Sequence, residues 1–204
     1  MKSKSTHSSI IARVGLVLLL TATHIGCKDP DPIAGREFVV LAGDSIMQNA
    51  ASHVAMTITK TDNAPFVVVE VLGGTPLANI DHHTNRLQAL HRDIGVPSYL
   101  FVSLGANDRI LFEAEFEANL HYFMASVNPS TKVYWIPPHN SAVQSLAGDM
   151  AGIVASVHSV AGQYHNMDVI DFQPTGRELS GDGVHLTVYG AAALSALIEE
   201  IIYE

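Results

Sequence analysis

The stretch 38-FVVLAGDSIMQNAASHVAMTIT-59 reads as two halves joined by a turn. Phe38 to Ala42 is a short continuous apolar run, the pattern of a strand buried on both faces. Gly43-Asp44-Ser45 breaks it, and the spacing then turns helical to about Thr59. A buried strand that feeds a helix through a tight glycine turn is the opening unit of an α/β protein.

The same switch recurs along the chain. A Val-rich strand over Phe66 to Leu72 is followed, after Gly73-Gly74-Thr75-Pro76, by a helix to Ile94. That helix carries Ile80, Leu87, Leu90 and Ile94 on one stripe and has Gly95 as its stop. A third strand, Tyr99 to Leu104, leads through Gly105-Ala106-Asn107-Asp108 to a helix with Phe112, Phe116, Leu120, Phe123 and Val127 at spacings of four and three, ended by Asn128-Pro129. The fourth strand, Lys132 to Ile136, is halted by Pro137-Pro138, and an Ala-rich helix is expected from roughly Ala142 to Ala161. The fifth strand is Asp168 to Phe172. A loop over Gln173 to Val184 precedes the last helix, with Thr187 as N-cap and Leu194, Leu197, Ile198 and Ile201 facing inward.

This order predicts a three-layer α/β/α sandwich around a central five-stranded parallel sheet, flavodoxin-like in class. Open sheets of that kind bind ligands beyond the carboxyl ends of their strands. Ser45, Gly73, Gly74, Asn107, Asp182 and His185 all follow strand ends, so they are expected to converge on one edge.

Composition narrows the function. The chain has 204 residues, is 48% hydrophobic and only 15% charged, and has a net charge of -9. It holds enough apolar material for one domain with a sizeable core. Lys2, Lys4 and Arg13 lie in the first 26 residues, which contain no acid, leaving 8 basic against 20 acidic side chains beyond them. Such a body repels phosphate backbones, so nucleic acid is excluded as a partner and polyanionic substrates are disfavoured.

Residues 1–26 read as a signal peptide, with those three cations followed by the short apolar run Val14 to Leu20, which is too short to span a bilayer. The single cysteine, Cys27, directly follows Ile25 and Gly26. That placement resembles a bacterial lipobox, although His24 stands where leucine is usual. The resemblance implies a lipoprotein signal, an acylated Cys27 as mature residue one, and anchoring to a membrane surface of the bacterial cell envelope. The alternative is a free thiol behind an ordinary signal. Residues 27–36, with Pro30, Pro32 and Gly35, form a tether, and residues 37–204 form the domain.

The candidate chemistry is nucleophilic. A serine attacks a carbonyl only when a base takes its proton, the base is held in the right tautomer, and donors await the developing oxyanion. Ser45 lies on a strand-to-helix turn with its N–H at a helix start, although serine is also a common N-cap there. Asp182-Gly183-Val184-His185 sets a carboxylate three residues from an imidazole in a glycine turn. Asn107 offers an amide donor, and Gly73 and Gly74 allow backbone N–H groups to approach a ligand closely. Asp81-His82-His83 has no second ligand pair to close a metal site, since adjacent helical histidines point to different faces. His139, after Pro138, is a further candidate for substrate contact.

Together these blocks resemble the SGNH hydrolases, the GDSL esterase and lipase superfamily: Gly43-Asp44-Ser45, Gly73, Gly105-Ala106-Asn107-Asp108, and Asp182-Gly183-Val184-His185 with Leu186-Thr187 and Gly190, in that order. The resemblance covers about Glu37 to Glu204. It implies the SGNH hydrolase fold, a nucleophile at Ser45, a base at His185, an orienting carboxylate at Asp182, and oxyanion donors from the Ser45 N–H, the Gly73 N–H and the Asn107 amide. Gly73 is preferred to Gly74 because the family often carries threonine two positions on, as Thr75 stands here. No metal and no cofactor is expected. The expected activity is hydrolysis of short-chain carboxylic esters, on a small-molecule, glycan or lipid substrate. A sugar O-acyltransferase or deacetylase of the same fold, and a silent binding lipoprotein, are the alternatives.

Overall fold

A computed structural model describes residues 37–60, 64–108, 113–145 and 150–204. The signal, Cys27, the tether and Phe112 lie outside the described residues. Strands β1 (Phe38–Gly43), β2 (Phe66–Val71), β3 (Tyr99–Ser103), β4 (Lys132–Trp135) and β5 (Met167–Val169) form one sheet in the order β2-β1-β3-β4-β5. Every neighbouring pair is parallel. The helices are α1 (Ser45–Ile58), α2 (Ile80–Asp93), α3 (Glu113–Ser126), α4 (Asn140–Ser145), α5 (Met150–Ala161) and α6 (Val188–Tyr203).

Alternation along the strands sorts side chains into two cores. Phe38, Val40, Leu100, Val102, Val133 and Trp135 pack with residues of α2, α3 and α5 on one face of the sheet. Val39, Leu41 and Phe101 pack with α1 and α6 on the other. Both faces are therefore covered, which is why β1 is a continuous apolar run with every residue buried. Each fully buried Leu or Phe in such a layer contributes about 2 kcal/mol. The expected three layers and five parallel strands are what the chain adopts.

Local departures have local causes. α2 begins at Ile80, several residues after Pro76, because the Asp108 carboxylate binds the N–H groups of Leu77 and Ala78 at 2.8 and 2.9 Å and holds them as a turn. Its C-terminal stop is Gly95 at φ +125°, as its position predicts. Of the helix expected over Ala142 to Ala161, α4 and α5 are described, and residues 146–149 lie outside the described residues. β5 ends at Val169 rather than Phe172, although the Ile170 N–H still reaches the Trp135 carbonyl at 2.8 Å. In α6, Leu194 and Ile198 are fully buried, but Leu197 is 38% exposed and lies off the inward stripe. Thr187 caps α6 by accepting from the Tyr189 N–H at 3.2 Å.

The strand order reverses at β1, which has β2 on one side and β3 on the other. Successive connections leave β1 in opposite directions there, opening a crevice at the carboxyl ends of β1 and β3. The two ends are drawn together by the Asp44 N–H, which donates to the Ser103 carbonyl at 3.0 Å. At Gly43 any Cβ would lie 2.5 Å from that carbonyl oxygen and 2.7 Å from the Met47 Cβ. Only glycine permits so close an approach.

Candidate active site

β1 delivers Ser45 to the crevice. The N-cap of α1 is Asp44, whose Oδ1 accepts from the Ile46 N–H at 3.0 Å. Ser45 is thus the first helical residue rather than the cap, and its hydroxyl lies 2.9 Å from His185 Nε2, a contact spanning 140 residues of sequence. The helix start directs backbone N–H groups and the positive end of the peptide dipoles to the same place.

The base arrives on the loop after β5. Leu179 and Leu186 form an antiparallel bridge, and inside it the Asp182 carboxylate organises a tight turn. Its Oδ1 accepts from the Ser180 hydroxyl at 2.7 Å, the Val184 N–H at 2.9 Å and the His185 N–H at 3.0 Å. Its Oδ2 faces His185 Nδ1 at 2.6 Å. These donors, the Ser180 hydroxyl foremost and then the His185 ring, hold the Asp182 carboxyl well below the usual carboxylate range. An ionised Asp182 accepts only, so His185 Nδ1 donates to it. Nε2 is left as the acceptor of the Ser45 hydroxyl proton.

Asn107, at the end of β3, stands across the crevice. Its Nδ2 donates one hydrogen to Asp44 Oδ2 at 3.1 Å, which fixes the amide plane and leaves the second hydrogen for a ligand. A Cβ built on Gly73 would come within 3.8 Å of the Ser45 Cβ, whereas one on Gly74 would meet nothing within 4 Å. Gly73 therefore lies beside the Gln48 and Ser45 side chains, and Gly74, at φ +75°, faces open space.

Two fully buried carboxylates brace this side. Asp44 holds Asn107, and Asp108 holds the turn that follows Gly73 through Leu77 and Ala78. Burial pushes the Asp44 carboxyl up to about 7, opposed by the Ile46 N–H and reinforced by the neighbouring Asp108. Burial likewise raises Asp108, against the pull of its two N–H partners.

The structure thus joins Ser45, His185 and Asp182 by hydrogen bonds, ties Asn107 to Asp44 beside the serine, and sets Gly73 next to Ser45 with Gly74 following it. His139 is not available to a substrate: it is 2% exposed and both ring nitrogens are engaged by backbone. Among the described residues no group of three or more His, Cys, Asp or Glu side chains is placed to hold a metal ion, and His82 and His83 lie edge to face. Sequence reasoning gave no role to Ser180 or to the two buried carboxylates. Ser180 had a signal, a serine two residues before an aspartate in a glycine turn. Asp44 had the signal of an aspartate just before a helix, but its bond to Asn107, like both partners of Asp108, is set by folding.

The fold is shared with solved hydrolases and with a transferase domain. A lipase/acylhydrolase from Enterococcus faecalis superposes with a TM-score of 0.62 at 24% identity, over 81% of this chain and 95% of that one. The catalytic domain of a peptidoglycan O-acetyltransferase from Streptococcus pneumoniae gives 0.63 at 11% identity, over 81% and 92%. A carbohydrate acetylesterase family member from Sinorhizobium meliloti gives 0.61 at 17%, over 81% and 97%. No family model matches the chain, and no curated protein sequence matches it significantly.

Proposed function

We propose that the protein is a serine esterase of the SGNH type that hydrolyses short-chain carboxylic esters. The observation that carries this reading is the unbroken chain from Ser45 Oγ to His185 Nε2 at 2.9 Å and from His185 Nδ1 to Asp182 at 2.6 Å. Its place at the carboxyl edge of the sheet, and the esterases among the proteins of like fold, support it.

In this mechanism Ser45 Oγ attacks the ester carbonyl carbon while His185 Nε2 takes the hydroxyl proton. Negative charge moves to the carbonyl oxygen, where the Ser45 N–H, the Gly73 N–H and the free Asn107 hydrogen receive it. Collapse expels the alcohol, which leaves with the proton from His185, and an acyl group remains on Ser45. Water, deprotonated by the same imidazole, attacks that acyl group and releases the acid. Asp182 keeps the ring in the required tautomer and stabilises its cation.

The acyl-enzyme can pass its acyl group to water or to an alcohol. The likeness to a peptidoglycan O-acetyltransferase domain, with a TM-score of 0.63 against 0.62 for the lipase/acylhydrolase, makes transfer to a sugar hydroxyl the second reading. Rates on p-nitrophenyl acetate, butyrate, octanoate and decanoate, with fluorophosphonate labelling beside them, test both. Turnover is expected to be fastest on the acetyl and butyryl esters, because the connections that follow β1 and β4 at this edge, Asp44 and residues 136–139, are too short to form a lid over a long acyl chain. A rate that climbs steadily to decanoate refutes the short-chain preference. Labelling without hydrolysis, and an acylated sugar when one is supplied, would favour the transferase; neither labelling nor turnover would make the protein a binder.

The same reading keeps Cys27 as an acylated residue that holds the enzyme at a membrane surface of the cell envelope. Cys27→Ser is expected to move the protein from the membrane to the soluble fraction. A protein found soluble with cysteine in place would remove the anchor.

A further inference from the structure

His139 follows β4 and is the N-cap residue of α4, where it is buried to 2% exposure. Its Nδ1 accepts from the Ala142 N–H at 3.2 Å. A nitrogen that accepts carries no proton, so the hydrogen of the neutral ring is on Nε2, which lies 2.9 Å from the Val184 carbonyl and donates to it. Val184 directly precedes His185, and its own N–H is bound by Asp182 Oδ1 at 2.9 Å. The Val184 residue is thus held at both ends, by Asp182 within the loop and by His139 from the sheet.

We propose that His139 is a positioning residue for the base: its Nε2–H, donated to the Val184 carbonyl, fixes the His185 ring over Ser45. This rests on the esterase reading for its kinetic effect, but not for the geometry. The argument is one of leverage. Asp182, Val184 and His185 are joined to one another and to Ser180, so their mutual bonds preserve the shape of the turn without setting its distance from β1. Ser45 sits on a rigid central strand and helix. Leu186 anchors the turn in the core beside α1, and among the described side chains His139 carries the hydrogen bond from the β4 end into it, so His139 fixes the orientation of Val184 and of the His185 that follows. A displacement of the base by about 1 Å costs about 100-fold in rate. Burial also lowers the His139 pKa, which keeps the ring in the neutral form that the Ala142 N–H requires.

Two substitutions separate positioning from helix capping. The Gln side chain places an N–H near the site of Nε2, and the Asn side chain places an oxygen near the site of Nδ1. His139→Gln therefore keeps the donor to Val184, whereas His139→Asn keeps a good N-cap and loses that donor. The expected result is kcat within about threefold of wild type for Gln and a fall of about 100-fold for Asn, with KM little changed in both. The low-field proton resonance of His185 Nδ1 should persist in Gln and shift or broaden in Asn. An Asn variant as active as Gln, with that resonance unmoved, would overturn the proposal. In wild type, nitrogen shifts of the His139 ring test it without any substitution: they should report a neutral Nε2–H tautomer at pH 7, and a protonated or Nδ1–H ring would equally overturn it. If wild type turns over no ester, the esterase reading fails while the two resonance measurements still decide the role of His139.

Discussion

Alanine at Ser45 is expected to lower p-nitrophenyl acetate turnover by at least about 10⁴-fold and to abolish fluorophosphonate labelling. The hydroxyl donates to His185 Nε2 and is the atom that bonds to the acyl group, so without it no acyl-enzyme forms. Stability should barely change, because the α1 cap and the β1–β3 approach belong to Asp44 and Gly43 rather than to the serine hydroxyl. The thermal midpoint is the control that separates lost chemistry from lost fold. Adding His185→Ala to the variant should cost little more, since nucleophile and base act as one unit. Turnover within tenfold of wild type would remove Ser45 as the nucleophile.

Asp182→Asn should be nearly as damaging, by a different route. Three donors converge on Oδ1, from Ser180, Val184 and His185, so an asparagine must place its carbonyl oxygen there. Its NH₂ then takes the position of Oδ2 against His185 Nδ1. Two donors cannot face each other, so the ring must carry its proton on Nε2 and accept at Nδ1. The nitrogen facing Ser45 becomes a donor and no longer takes the hydroxyl proton. A loss of about 10⁴-fold in kcat is expected while the turn stays intact. A crystal structure of the variant with an unmoved His185 ring, beside a kcat within tenfold of wild type, would show that the tautomer does not limit the reaction.

Much of this was legible in the chain before folding. Hydrophobic period is a local property, so the runs at Phe38, Phe66, Tyr99 and Lys132 and the stripes at Leu87 and Phe116 located their elements within a few residues. Turn chemistry is local too, and Gly43-Asp44-Ser45, Gly105-Ala106-Asn107-Asp108 and Asp182-Gly183-Val184-His185 each occur after a strand. Parallel strands joined by helices then oblige those blocks to share one edge, which is why Ser45, Asn107 and His185 could be grouped from element order and family likeness.

What the sequence determined, then, was the alternation of elements, the acidic charge of the body, and the residue types at each strand end. The tertiary structure alone decided which of those residues touch. Ser45 and His185 are 140 positions apart, Asp108 binds N–H groups 31 and 30 positions before it, and His139 reaches Val184 across 45. Hydrogen bonds between groups so far apart depend on strand order and on angstrom-scale packing of two cores. Neither is encoded in the neighbours of any one residue, so His139 could be read from sequence as a substrate contact and only the fold turned it toward the Val184 carbonyl.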